Sequence, residues 1–487
     1  MEANYSKERA ELYEKRGYNK DLIPKTQEQR QFSTFNFFTL WMGSVHNIPN
    51  YAAVGGFLFL GLAPIHIMAA LIISSIVVAT FFVFNGRSGA KYGIPFSMIL
   101  KSSYGQKGAA LPGFFRGIIA AIMWFGLQNY AGSQALLVIV AKIWPGFMDI
   151  GGSASFLGLD MPSFIVFVLF FLVNVLIGFG GGSTLNKFTA ILNPLIYIIF
   201  GGMTIWAVSV AGGIGPILNF VPEGNAGALG AAGTLLVYLM IINSVMGVWA
   251  APGASVADFT QSAKSQRSHT IGQFAGLVIS YVLFAFSSVF ILIGSTIHYG
   301  VDTWNVVDVI YRWDNIPAVA ISALVLLMTT ISTNATGNIV PAAYQLSSLF
   351  PRIVNYKRGV VIAGIISFLI MPWRLMENQD SIYAFLDFVG AFLGPVAGVM
   401  IADYFIIKKQ QIDLDKLYSE KGVKQATDYN WIAYGVTLVA VIVSLSGRFI
   451  PAFSVVSSLS WLVGFGLAFV LYSLLYKFGK GKPELQS

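Results

Sequence analysis

The sequence contains no cysteine, only four histidines, and few charges: Asp, Glu, Lys and Arg together make up 11% of its 487 positions. Without cysteine there is no disulfide framework, no thiolate metal site and no cysteine nucleophile. His46, His66, His269 and His298 are scattered along the chain without metal-ligand spacing. A membrane-embedded transferase needs clustered His, Asp or Glu, so the enzyme class finds no support. An ordinary soluble domain is roughly 25% charged. A chain that is 56% hydrophobic and this poor in charge is not a water-soluble globule. Its 30 Lys and Arg exceed its 22 Asp and Glu, but the excess forms no basic low-complexity tract and falls between hydrophobic runs. It therefore reads as a topology signal, with no nucleic-acid partner implied.

What the chain does have is long apolar runs, at about 32–62, 63–86, 114–144, 163–181, 188–213, 231–260, 274–300, 316–350, 359–373, 381–407, 429–447 and 460–478. Most are long enough to cross a bilayer as helices; the ninth is short and ends at Pro372. Backbone satisfaction in lipid excludes most other conformations, and a β-barrel would show alternation instead. The expectation is an all-α polytopic membrane protein with twelve transmembrane helices. Its parts are a tail over 1–31, a ten-helix core over 32–407, a loop over 408–428, helices 11 and 12 over 429–478, and a second tail over 479–487. The first 30 residues hold no apolar h-region, so no cleavable signal peptide is expected. With the N-terminus inside, all Lys and Arg except Lys142, Arg312, Arg374 and Arg448 fall on the inner side. This predicts a plasma (inner) membrane protein with both termini cytoplasmic.

Two spans depart from the rest. The first carries Gly43-Ser44-Val45-His46-Asn47-Ile48-Pro49-Asn50, and the sixth carries Gly247-Val248-Trp249-Ala250-Ala251-Pro252-Gly253. Proline removes a backbone donor and collides with the preceding turn. Irregular backbone at membrane depth survives only beside protein or a water-filled cavity. Breaks five spans apart point to a five-plus-five inverted repeat with a binding site at the breaks, helices 11 and 12 lying outside it.

Polar side chains cluster at the same depth. Trp124 and Gln128 are four apart and share a helix face. Together they suit a flat ring bearing amide groups, the indole on its face and the amide on its edge; a belt tryptophan beside an interhelical amide is the structural alternative. In the eighth span Thr329, Ser332 and Thr333 share a face and Asn338 lies a turn beyond Asn334. Such hydroxyls are neutral oxygen ligands for a small monovalent cation, or they bond back to their own helix. Asp387 in the tenth span reads as the partner of a cytoplasmic or internal cation rather than a proton carrier, and Asp258 as a helix cap. Gly390 to Gly398 make the tenth helix thin, for gating or for close packing.

At these residues the sequence resembles the nucleobase-cation symport-1 family of purine, pyrimidine, hydantoin and allantoin permeases, whose members share the leucine-transporter (LeuT) fold. The likeness lies in Trp41-Met42-Gly43-Ser44-Val45-His46-Asn47-Ile48-Pro49, in Gly394-Pro395-Val396-Ala397-Gly398-Val399-Met400-Ile401-Ala402-Asp403-Tyr404-Phe405-Ile406-Ile407 and in Asp415-Lys416-Leu417-Tyr418-Ser419-Glu420, and is strongest to bacterial allantoin permeases. The resemblance implies that Trp124 and Trp249 sandwich the substrate, that Gln128 and Asn338 bond its amide edges, and that Asn47 stands nearby. It also implies a sodium site made of the carbonyls of Gly43, His46 and Thr329 and the hydroxyls of Ser332 and Thr333. His46 stands where the hydantoin transporter of this family has an aliphatic residue, which leaves a proton in play. The implied function is import of a neutral planar heterocycle by cation symport with alternating access. Allantoin comes first, then hydantoin or uracil; the alternative is a cytosine or purine permease, proton-coupled or uncoupled. No cofactor is implied beyond the bound cation, and a monomer is expected.

Overall fold

The computed structural model describes residues 7–18, 20, 22–180, 182–222, 229–350, 353–419 and 428–478, apart from the side chains of 182–191, 348 and 379. Arg352, Lys421, Lys424, Lys480 and Lys482, Glu420, the side chain of Lys187 and the tail 479–487 lie outside the described residues. Among those described, ten helices are long and apolar enough to cross a membrane, from Pro64–Tyr92 to Ser460–Phe478. The two remaining runs behave as their sequences imply. The first is a broken pair, Thr34–Val45 and Ile48–Phe57. The ninth is the 14-residue helix Tyr356–Leu369, which stops before a 3-10 turn at Pro372–Met376. Among the described residues, β structure is limited to a two-stranded hairpin, with Ser155 opposite Asp160 and Phe156 opposite Leu159, and an isolated bridge between Phe32 and Ala263.

The break in the first span is built from its own asparagines. The Asn47 Oδ1 accepts from Asn50 N at 3.0 Å, capping the second half-helix, and its Nδ2 donates to Ser44 O at 2.9 Å. Asn50 Nδ2 donates to Val45 O at 2.7 Å. Pro49 sits in the first turn of Ile48–Phe57, where a missing N–H costs nothing.

The sixth span corrects an expectation. Ala231–Ala254 runs as one helix straight through Gly247–Gly253 with Pro252 inside it, and the interruption comes later, at Ser255–Val256 before the short helix Ala257–Thr260. The glycines serve close packing: a Cβ on Gly253 would lie 2.2 Å from the Phe81 ring, and one on Gly247 2.9 Å from the Leu386 carbonyl. The same holds in the tenth span, where Cβ atoms on Gly394 and Gly398 would meet Trp461 O at 2.8 Å and Phe465 O at 2.5 Å. The glycine face of this helix is its seam with the twelfth.

Contacts sort the loops into two ends. At one end Lys142 lies over the Tyr311 ring, Arg312 over Tyr299, and Arg448 pairs with Asp387 at 3.1 Å. Asp387 is thus an ion-pair partner, of a cation assigned above to the outer side. At the other end Lys107 pairs with Asp428 and Lys408 with Asp403. There the helix Lys7–Lys15 docks on Leu414–Leu417, through Tyr13 OH to Asp415 at 2.8 Å and a Tyr13–Tyr418 stack at 4.5 Å. The tail over 1–31 is therefore packed, in its described part, against the loop over 408–428. Asp258 caps a helix as expected, accepting from Phe96 N, the first residue of Phe96–Tyr104, at 2.9 Å.

Gly253→Ala should lower the unfolding temperature in detergent, because overpacking of this kind costs about 1–3 kcal/mol. An unchanged melting curve would show that Phe81 and Phe82 give way freely. Asn47→Ala should cost about 1 kcal/mol through the lost cap, read in the same assay.

Candidate functional site

Where the break in the first span meets the third, sixth and eighth spans, the chain encloses a cavity of about 50 Å³. Its walls include Trp41, Asn47, Trp124, Gln128, Trp249 and Asn338, so all five residues expected to hold substrate stand around one space. Ordinary ligand pockets exceed roughly 300 Å³, so the walls must part for a ring to enter. A larger cleft, about 570 Å³, is lined only by apolar side chains of the third, eighth and ninth spans, Ile122 and Ile362 among them. It offers no hydrogen bond and is not the site.

The small cavity is distinguished by polar atoms that are buried and unpaired. They include Trp41 Nε1, Trp124 Nε1, Gln128 Oε1 and Thr333 Oγ1, every one of them on a residue lining the cavity. A buried polar group without a partner costs about 1–3 kcal/mol. Several around one space give it donors and acceptors that a polar ligand or water could complete. Asn338 donates Nδ2 to Asn334 Oδ1 at 2.8 Å, which leaves its own Oδ1 as the acceptor toward the cavity. Asn47 differs: both of its polar groups already cap the break, so it shapes the wall more than it reads a ligand. Trp249 is fixed by its Nε1, which donates to Tyr281 OH, and by edge contacts with Trp41 and Phe82. Trp124 stands edge-on to Phe385 at 4.9 Å. Neither tryptophan is a belt residue.

The residues expected to hold a cation are less closely gathered. Thr333 alone of the five lines the cavity. The break does free two of the expected carbonyls. Asn47 N, which would bond Gly43 O in a continuing helix, donates to Val45 O at 3.0 Å, and Asn50 N, which would bond His46 O, goes to Asn47 Oδ1. Thr329 sits in regular helix, and its hydroxyl bonds back to Leu326 O at 2.8 Å. Thr330 does the same at 2.7 Å, while Thr333 does not. Ser332 is buried beside them. The His46 imidazole points into an aromatic cluster, with Nδ1 3.1 Å from Tyr51 OH and the Phe200 ring at 4.7 Å. A Cβ on Gly43 would lie 2.4 Å from Asn193 Oδ1, so that side chain would have to shift.

Reading by composition missed one wall. Arg116, counted above among inner-side cations, lies inside the third span at 2% exposure and lines the cavity. The site therefore carries a formal charge. Close by, the Asp258 carboxyl is pushed up to about 6 by burial, an effect opposed by its bond from Phe96 N and by the charges of Arg116 and Lys25. Trp41 and Thr336, also in the wall, could have been found from their place beside the first break and on the polar stretch of the eighth span.

Residues 24–464 match the family described as "Permease for cytosine/purines, uracil, thiamine, allantoin". The chain belongs to this permease family. It is 56% identical over 468 residues to a putative allantoin permease of Escherichia coli, covering 96% of both chains. It is 39% identical over 460 residues to an allantoin permease of Bacillus subtilis, covering 94% of this chain and 93% of that one. Among solved structures it resembles Mhp1 in an inward-facing conformation, with a TM-score of 0.77 at 21% identity over 94% of this chain and 93% of the other. It matches equally, at 22% identity, Mhp1 described as a nucleobase-cation-symport-1 family transporter in a closed conformation with bromovinylhydantoin bound, covering 94% and 95%. The fold is thus the LeuT-like one that the resemblance implied. The chain is a membrane transporter of the permease class.

Trp124→Ala should abolish tight substrate binding and leave the melting temperature nearly unchanged. Loss of an aromatic platform under a heterocycle costs about 1–3 kcal/mol, roughly 5- to 150-fold in Kd. Unaltered affinity would remove Trp124 from the site.

Proposed function

We propose that the protein imports allantoin across the plasma (inner) membrane by sodium symport, working as a monomer with both termini cytoplasmic. The observation that carries this is the set of unpaired polar atoms around one aromatic-walled cavity. Two indoles offer flat faces. Gln128 Oε1 and Asn338 Oδ1 accept from ring N–H groups, and Thr333 Oγ1 can give or take a bond. A neutral five-membered ureide presents that alternation of N–H and C=O along its edge. The bacterial relatives described as allantoin permeases, at 56% and 39% identity, favour it over other rings.

For the cation, the carbonyls of Gly43 and His46 have lost their helical donors, and Ser332 and Thr333 add hydroxyls from the facing span. Neutral oxygens in that number suit a monovalent ion without any carboxylate. Binding it ties the broken first span to the eighth, two of the four spans that wall the cavity, and so raises ring affinity by a coupling energy of typically about 1–3 kcal/mol. The His46 imidazole is turned into the aromatic cluster, with its Nδ1 3.1 Å from Tyr51 OH.

The test is uptake of labelled allantoin into proteoliposomes under an imposed sodium gradient. Accumulation that collapses when choline replaces sodium supports symport; accumulation that persists and follows a proton gradient overturns the sodium assignment. Competition by hydantoin, uracil, cytosine and purines ranks the rings, and a nucleobase that outcompetes allantoin overturns the substrate. Ser332→Ala combined with Thr333→Ala should raise the sodium concentration for half-maximal uptake at least about tenfold, as loss of two ligand oxygens predicts. An unchanged sodium response would move the ion elsewhere.

A further inference from the structure

Arg116 is the one wall of the cavity that the reading of a neutral ring leaves unexplained. Its Nε donates to Ser255 Oγ at 3.0 Å, just past the end of the sixth span. Its Nη2 makes a long contact to Gly337 O at 3.4 Å, next to Asn338. Its Nη1 is buried and has no partner. None of the ion pairs among the described residues includes it. Asp258 lies close enough to act on it through charge but forms no ion pair with it, and a buried guanidinium with an open donor is costly unless something completes it.

The backbone explains how it comes to be there. Eight residues of regular α-helix would turn Arg116 about 80° away from Trp124. The segment Phe115–Ala120 is a π-turn, which spreads an extra residue over that interval and takes most of the rotation back. Arg116 is thereby swung onto the face that carries Trp124 and Gln128. The eighth span has its own π-turn, Ala335–Ile339, at the carbonyl that Arg116 meets. Such bulges often mark functional positions in helices.

We propose that Arg116 is a specificity-determining substrate contact, with its Nη1 donating to the carbonyl oxygen of a ureido arm borne on the heterocycle. The inference rests on the reading that the cavity takes a hydantoin-type ring. With the ring between Trp124 and Trp249 and its edge on Gln128 and Asn338, an arm extending toward Ser255 and Gly337 reaches the guanidinium. A ureido group fits this end better than a carboxylate. Its N–H groups meet the Gly337 carbonyl, which a carboxylate would oppose, and the Ser255 hydroxyl, whose proton is given to Ala251 O at 3.4 Å so that it faces the arm as an acceptor. A bare ring leaves Nη1 unpaired, so the residue separates ureido-bearing hydantoins from the parent ring.

The experiment measures competition against labelled allantoin with purified wild type and Arg116→Gln. In the wild type, allantoin should bind at least about tenfold more tightly than hydantoin, as one bond to a charged donor predicts. Arg116→Gln should weaken allantoin roughly 10- to 100-fold and change hydantoin less than about twofold, collapsing the ratio. Equal loss of both rings would mean that Arg116 only supports the fold, and would overturn the proposal while leaving the importer reading intact. Wild type that binds neither ring would overturn the importer reading and this inference with it. Should the variant not fold, the wild type still decides. Hydantoin with an alkyl arm of the same length, or with a carboxymethyl arm, must compete less well than allantoin; either one matching allantoin overturns the assignment.

Discussion

The structure depends on how a bilayer-spanning helix can stop and restart without leaving bare backbone. In hydrocarbon each unsatisfied carbonyl costs several kcal/mol, and the first span stops at His46 and restarts at Ile48. The chain meets the cost locally. Asn47 and Asn50 cover the carbonyls of Ser44 and Val45 and cap the new helix. The arrangement is selective in what it leaves over, since the carbonyls of Gly43 and His46 lose their donors. A single packing problem thus creates a candidate ion seat and one wall of the cavity together.

The rest of the site follows from burial without pairing. Most buried polar groups in proteins are bonded, so unpaired atoms on Trp124, Gln128, Thr333 and Arg116 around one small cavity stand out. The arrangement stores a preference for a ligand that supplies donors and acceptors along a flat edge. Trp249, on one side of the cavity, is braced by its bond to Tyr281. The glycine seam between the tenth and twelfth spans fixes the tenth helix against the bundle. The parting of the walls that admits substrate must therefore carry the two together or open elsewhere.

Much of this was legible before folding was considered. Trp124 and Gln128 at i and i+4, and Gly-Ser-Val-His-Asn-Ile-Pro in the middle of an apolar run, are local signals with local causes. The eighth span was half legible. Its hydroxyls lie on one face as spacing requires, but Thr329 bonds back to its own helix while Thr333 does not, and nothing in the residue types separates the two. The sixth span misled, because glycine and proline read equally well as a break or as room for a neighbour. Phe81, Phe82 and Leu386, all on other helices, make it room.

The sequence by itself determined that this chain is a polytopic helical membrane protein, that its first span breaks, and that Trp124 and Gln128 share one helix face. Each of these rests on composition or on spacing within one segment. Only the tertiary structure decided that Arg116 belongs to the pocket and not to a loop. That outcome hangs on a π-turn and on Ser255 and Gly337 from two other spans. Long-range packing sets helix phase at such a point, and no local pattern in the third span records it.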